Sequence, residues 1–439
     1  MYDKAIIAVA ILVFTYALIM SEKVERSIAA LLGAMLVFVF GIVKSEDLMK
    51  LDGFMHWEAL GLIFGMFILV ETLRHTGFFR WIGLHTLHAA KFRPLYIFIF
   101  FSGMSAFLSA FMDSITVLFF MASLTIEVAH ILKMSPIPFI IAEITAANIG
   151  GSATMVGDPP NVILGTAFGY SFMDFVVNVA IISIAVFFVN LAFFYFWYKK
   201  HLKSGGADHE KIAEEHKELD PWSAVTDKKL MYITMAVFTF TVSLLVLHSA
   251  LKQFSPILGS VAFAAILGAT LVLVLGGKKM PGIVTKIDWK VLIFFACLFI
   301  VVGGLENTGV TKAMGDAIGG ASKGNIVIAI TLILWSMAFL SAFVDNVPVA
   351  AVMIPVIREI HTATGFPEST LVWTTAIGTD IGGNGTPIGA SANVVGMSVC
   401  EHDKCHITWK EYCKVAMPAM VVTITVCNIL LILMYGKLF

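Results

Sequence analysis

Charge is scarce in this chain. Of its 439 residues 13% are Asp, Glu, Lys or Arg and 59% are hydrophobic, with a mean hydropathy of +0.90. A soluble chain would carry roughly a quarter charged residues, so a soluble globular class is excluded. The formal charge of −1 gives no sign of a nucleic-acid or acidic partner. Catalytic and nucleotide signatures are missing as well. There is no Walker element, so ATP does not drive the chain directly, although a separate cytoplasmic ATPase partner stays open. HExxH does not occur, and the single GxSxG string, at 320–324, has no strand pattern before it, which argues against an intramembrane enzyme. Five cysteines are present. Their one cluster, "CEHDKCH" at 400–406, fits no standard zinc spacing and has the character of a plain loop.

What the chain has in abundance is long apolar sequence. Hydropathy predicts ten spans, near 5–20, 27–43, 57–73, 138–168, 172–198, 231–249, 257–276, 290–306, 371–396 and 408–435. The first lacks a small-residue cleavage site and is expected to be a retained helix. Segments 95–131 and 325–358 are too long for one span and carry polar centres, "SAFMDS" and "SAFVDN". Each fits either two short spans or a re-entrant hairpin whose tip is buried in protein.

An internal repeat organises these segments. "SAFLSAFMDS" (105–114) matches "MAFLSAFVDN" (337–346), and Trp57/Trp289 and Thr76-Gly77/Thr308-Gly309 keep the same offset of 232. Apolar sequence alone rarely preserves Trp, Asp, Thr and Gly together. The chain thus divides into 1–200 and 231–439, joined by a polar linker at 201–230. With two re-entrant hairpins each half has five spans, so the second must be inverted. The fold class expected is an all-α polytopic membrane protein of two inverted repeats, each of five transmembrane helices plus a re-entrant hairpin, with one broken helix per repeat. Placing 21–26, 74–94, 132–137, 199–230, 277–289 and 397–414 on one side, with Lys290 at its edge, gathers 21 of the 29 Lys and Arg residues there. The positive-inside rule makes that side cytoplasmic and puts both termini outside.

The broken helices carry the chemistry. "GGSATMVGDPPNVI" (150–163) and "GGNGTPIGASANVV" (382–395) interrupt apolar sequence at matching positions. Gly150, Gly151 and Gly157, with Gly382, Gly383, Gly385 and Gly389, would permit unwinding, and Pro159 and Pro160 would prevent its repair. A broken helix presents N–H groups that favour an anion and carbonyls that favour a cation near mid-membrane. Ser152, Thr154, Asn161, Thr386 and Asn393 would supply neutral groups, with Asn148, Asn384 and Ser391 beside them. Asp113 and Asp345, followed by Ser114 and Asn346, sit at the hairpin centres, where a charge is costly and function is the default reading. Asp158 and Asp380 flank the broken helices and serve either as coupling groups or as helix caps. Glu71 and Glu143 have no acidic repeat mate and are open between gating and snorkelling.

These motifs together resemble the arsenite permease/NhaD-type branch of the ion transporter superfamily, to which the melanosomal P protein also belongs. The likeness covers nearly all the chain except 199–230. It implies a homodimer working elevator-fashion, with a scaffold from about 1–56 and 231–286 and a transport domain from about 95–170 and 325–397. Thiophilic arsenite gives the 400–406 cluster a second possible role in sensing. The function expected is secondary transport in the inner (plasma) membrane with no cofactor, coupled to H⁺ (or Na⁺). Proton-coupled efflux of arsenite or antimonite leads; Na⁺/H⁺ antiport and transport of a carboxylate or other anion are the alternatives.

Overall fold

A computed structural model describes residues 2–21, 23–44, 55–204, 220–277, 280–402 and 405–436. Most of the linker and residues 403–404 of the cysteine loop therefore lie outside the described residues. Those described are helical, without strands. In the first half the principal helices are α1 (Tyr2–Met20), α2 (Arg26–Val39), α3 (Trp57–His75), α4 (Phe78–Ala89), α5 (Pro94–Ser109), α6 (Ser114–Ile131), α7 (Ile137–Ser152), α8 (Pro159–Phe168) and α9 (Ile181–Ser204). In the second they are α10 (Lys228–Leu251), α11 (Val261–Gly276), α12 (Trp289–Asn307), α13 (Val310–Ser322), α14 (Ile326–Phe343), α15 (Asn346–Thr364), α16 (Glu368–Gly382), α17 (Ser391–His402) and α18 (Trp409–Tyr435). Eight spans among the described residues are long and apolar enough to cross a membrane, or nine if the bent pair α3–α4 counts as one. Phe188, Phe196, Phe339 and Val274 stay exposed on their flanks, as lipid contact requires.

The repeat is visible in where helices begin. Trp57 and Trp289 open α3 and α12, and Gly77 and Gly309 both take φ near +80° to turn the chain into the next helix. That left-handed conformation suits glycine, and it explains why Thr-Gly recurs at this one spot. Both broken spans are divided as expected: α7 and α8 replace 138–168, and α16 and α17 replace 371–396. The halves also pack reciprocally. α3 lies on α11 while α12 lies on α2, and α8 lies on α15 while α17 lies on α6. At the α3–α11 contact, Gly61 and Gly65 abut Ala262 and Ala265, the small-residue approach by which helices pack in lipid.

One expectation about the glycines changes. Gly150, Gly151 and Gly382 lie in the last turns of intact α-helices, and Gly383–Gly385 form a 3₁₀ turn; the break proper follows at 153–158 and 386–390. Close approach, not unwinding, demands the first group. A Cβ on Gly150 would run into the Ala106 backbone, and one on Gly382 into the Ala338 backbone.

Candidate functional site

Each broken helix is closed by an asparagine. Asn161 Nδ2 donates to the carbonyls of Gly151 (3.2 Å), Ser152 (3.2 Å) and Thr154 (3.0 Å), groups that the interrupted helix leaves without partners. Asn393 Nδ2 does the same for Gly383 (2.7 Å) and Thr386 (2.9 Å). Thr154 and Thr386 donate to the carbonyls of Ala110 and Ala342, tying each break to its neighbouring hairpin. Ser152 turns away towards α9, bonding Ser183 at 2.8 Å. The threonines and asparagines expected to face a ligand thus spend their donors on the scaffold of the breaks.

The hairpin tips meet at Asp158. The carboxylate accepts from Ser114 (3.2 Å) on one side and from Asn346 Nδ2 (2.8 Å) on the other. Ser114 and Asn346 are repeat mates, each the first residue of the helix leaving its tip. Asp158 precedes α8 yet makes no capping bond of its own. Its side chain is committed to joining the two halves. The tip aspartates cap their own helices: Asp113 accepts from Thr116 N at 3.1 Å, and Asp345 from Val347 N at 3.3 Å. Asp380 is fully buried beside Asp158, Asn161 and Asn346, and neither of its oxygens accepts a well-formed hydrogen bond. Asn148 donates to Asn384 (2.8 Å) and Asn393 (2.9 Å), bridging the two broken helices directly.

A cavity of about 670 Å³ opens over this centre. Asp113, Ser114, Asp158, Asp345, Asn346 and Ser391 line its floor, and Arg26 reaches in from α2. Arg26 is the residue that sequence reasoning missed. Its guanidinium lies 2.6 Å from Asp345 Oδ2, and Ser391 completes the cluster by donating to the same carboxylate at 2.6 Å and contacting Arg26 Nη1. A signal existed. An arginine opening an apolar helix opposes the macrodipole, so it is stable there only with a nearby anion. The rim carries Lys286, Lys290 and Glu25, the last two paired at 3.0 Å. That hydrogen-bonded pair holds the Glu25 carboxyl below the usual range.

Glu71 reaches the same cavity paired with Arg74 at 2.6 Å. Glu143 does not snorkel: it is fully buried and accepts from Thr125 at 2.5 Å. Cys297, Cys400 and Cys427 are buried, and no cysteine lines the cavity.

Comparison with known proteins follows the same outline. Residues 16–378 match the family described as Citrate transporter (CitMHS). An uncharacterized transporter of Mycobacterium tuberculosis is 34% identical over 348 residues, 79% of either chain. A 46 kDa membrane protein of Mycobacterium leprae is 31% identical over 436 residues, covering 98% of this chain and 99% of its own. The P protein of Homo sapiens is 29% identical over 395 residues, 73% of this chain but 47% of the P protein. Two solved structures share the fold at 14% identity and a TM-score of 0.55. One is MtrF of Neisseria gonorrhoeae, an antimetabolite efflux pump (85% of this chain, 80% of that one). The other is the YdaH transporter of Alcanivorax borkumensis (94% and 99%). The motif likeness to P protein therefore stands, whereas the arsenite permease/NhaD assignment gives way to a different family within the superfamily. The chain is a multi-pass membrane transporter, not an enzyme, and belongs to the citrate transporter (CitMHS) family of the ion transporter superfamily.

Proposed function

We propose that the chain is an ion-coupled secondary transporter of a small carboxylate anion, bound in the cavity under Arg26. The Arg26 cluster carries this reading. A guanidinium flanked by a serine hydroxyl is a donor set that suits planar, bidentate carboxylate recognition, and about 670 Å³ falls in the range of organic-ligand sites, about 300–1,000 Å³. The name of the matched family agrees. Asp345 holds the place beside Arg26 that the substrate's carboxylate would take, so binding must displace it or follow its neutralisation by H⁺ or Na⁺. That exchange is a coupling device.

Arg26 belongs to the segment expected as scaffold and Asp345 to the segment expected as transport domain. Elevator movement of one past the other would break this ion pair once per cycle. Inverted repeats, a homodimer, and an inner-membrane orientation with both termini outside complete the proposal; under it the cavity opens on the Lys/Arg-rich cytoplasmic side. Proton-coupled efflux of arsenite or antimonite is the second reading. A cavity lined without thiols argues less for it. Na⁺/H⁺ antiport draws on the four central aspartates.

Flux into proteoliposomes tests the choice. Citrate and other di- and tricarboxylates, arsenite and Na⁺ would be offered under imposed pH and Na⁺ gradients. The expected result is gradient-driven carboxylate uptake, abolished by Arg26→Gln. Arsenite or Na⁺ flux without carboxylate flux would replace the reading.

A further inference from the structure

The cavity holds more negative charge than a site for a polyanion should. Among the described residues six carboxylates line it against four cations. Three of the cations are engaged: Arg26 with Asp345 at 2.6 Å, Arg74 with Glu71 at 2.6 Å and Lys290 with Glu25 at 3.0 Å. The fourth, Lys286, stands at the exposed rim. The remaining carboxylates take hydrogen bonds from neutral groups: Asp113 from Thr116 N, Asp158 from Ser114 and Asn346, and Asp288 from Val291 N. A ligand's first carboxylate exchanges with Asp345 on Arg26. A second would have to break another ion pair or lie against Asp113 or Asp158, where like charges repel strongly once water is excluded. Protonating either acid removes that repulsion without adding a second guanidinium fork.

The wall has the opposite character. Phe67 of α3, Ile115, Phe119 and Phe120 of α6, Val291 of α12 and Val395 of α17 line the cavity, and each is half-buried or exposed. Apolar side chains at membrane depth need no explanation where they meet lipid or core. These share a space with charged groups, and an apolar body laid over them is stabilised by the surface it covers. The aromatic part of the wall is also fixed in place. Phe120 lies flat against Phe79, with ring centroids 4.8 Å apart and planes 7° from parallel, and Phe119 stands edge-on to Phe120 at 5.3 Å and 79°. A face held in this way receives a planar ring without first having to be ordered.

We propose, resting on the carboxylate reading and narrowing it, that the substrate is an amphipathic monocarboxylate: one carboxylate on Arg26, and an aromatic body against the wall of α3, α6, α12 and α17. The cavity's volume of about 670 Å³ leaves room for that body beside the carboxylate. Citrate engages Arg26 through one carboxylate and gains nothing from the wall, so it binds, but weakly.

Isothermal titration and proteoliposome flux on the full chain test this with 3-phenylpropanoate, acetate, citrate and 3-phenylpropanol as probes. The ring acid should bind about tenfold or more tightly than acetate or citrate, since a hydrophobic pocket returns about 10- to 200-fold for a single methylene. It should exceed the uncharged alcohol by a similar factor and lose that margin in Arg26→Gln. Phe120→Ala should cut the preference for the ring acid over acetate about tenfold. Phe119→Ala removes a ring that is already exposed and reads the same ratio if Phe120→Ala unfolds. Citrate binding more tightly than the ring acid, and still depending on Arg26, overturns the inference and leaves the carboxylate reading standing. So does a wild-type ratio of ring acid to acetate in a folded phenylalanine variant. Failure of every carboxylate to bind or move overturns both readings. Equal binding of alcohol and ring acid also overturns both, because the carboxylate then contributes nothing.

Discussion

Arg26 and Asp345 show how much can turn on one pair. Each pairs with the other at the cavity, yet only one of them suits an anionic substrate. Removing a charge-assisted bond to a bound ion costs about 1.5–3 kcal/mol, so Arg26→Gln is expected to raise the KM for a carboxylate roughly 10- to 150-fold. Arg26→Lys keeps the charge but loses the planar fork, and should fall between the two. Asp345→Asn moves the opposite way at the binding step. It leaves an acceptor for Ser391 while freeing the guanidinium, so equilibrium binding of the carboxylate should tighten even as coupled transport fails. Isothermal titration of the three variants against citrate checks the order. If Asp345→Asn weakens binding as Arg26→Gln does, Asp345 is part of the substrate's shell and does not compete with it.

Among elements, the hairpins and broken helices separate what the sequence could reveal from what it could not. Their existence was legible, because Gly, Pro and Asp recur in apolar segments at one fixed offset. Their internal bonding was not. Asn161 and Asn393 look like ligand groups in a string of letters; in the fold their amides close the carbonyl ends of α7 and α16. Only the three-dimensional contact between an asparagine and a carbonyl ten residues earlier discloses this. The bridging contacts of Asp158, and Arg26 itself, were hidden for the same reason, since their partners lie 188 and 319 positions away. The consequence is a prediction about stability. Asn393→Ala strands two buried carbonyls and should destabilise the chain by about 1–3 kcal/mol, read as a lowered unfolding midpoint in detergent. Its KM should change less than that of Arg26→Gln. Gly157→Val should be harsher, because a side chain there meets the backbone of Gly151 and Ser109; loss of folded yield is the expected outcome. A large KM effect with an unchanged midpoint in Asn393→Ala would return that residue to the ligand shell.

At the scale of the whole molecule, composition made the membrane legible and the repeat made two halves legible, while orientation rests on charge alone. The cavity makes that orientation testable. Its rim holds Lys290, whose side chain is 69% exposed, next to Glu25, and the positive-inside rule assigns this rim to the cytoplasm. Lys252 follows α10 at the opposite end of the second half's first helix. A single cysteine at Lys290 should therefore react with a membrane-impermeant thiol reagent only from the cytoplasmic face, and one at Lys252 only from outside, in a background lacking the native cysteines. Saturating carboxylate should slow labelling at 290, because closing the cavity or turning it outward buries the rim, and leave 252 unchanged. Reversed labelling at both positions would invert the whole assignment, termini included. Labelling at 290 from outside without change at 252 would mean that the chain rests with its cavity facing outward, the other end of the same transport cycle.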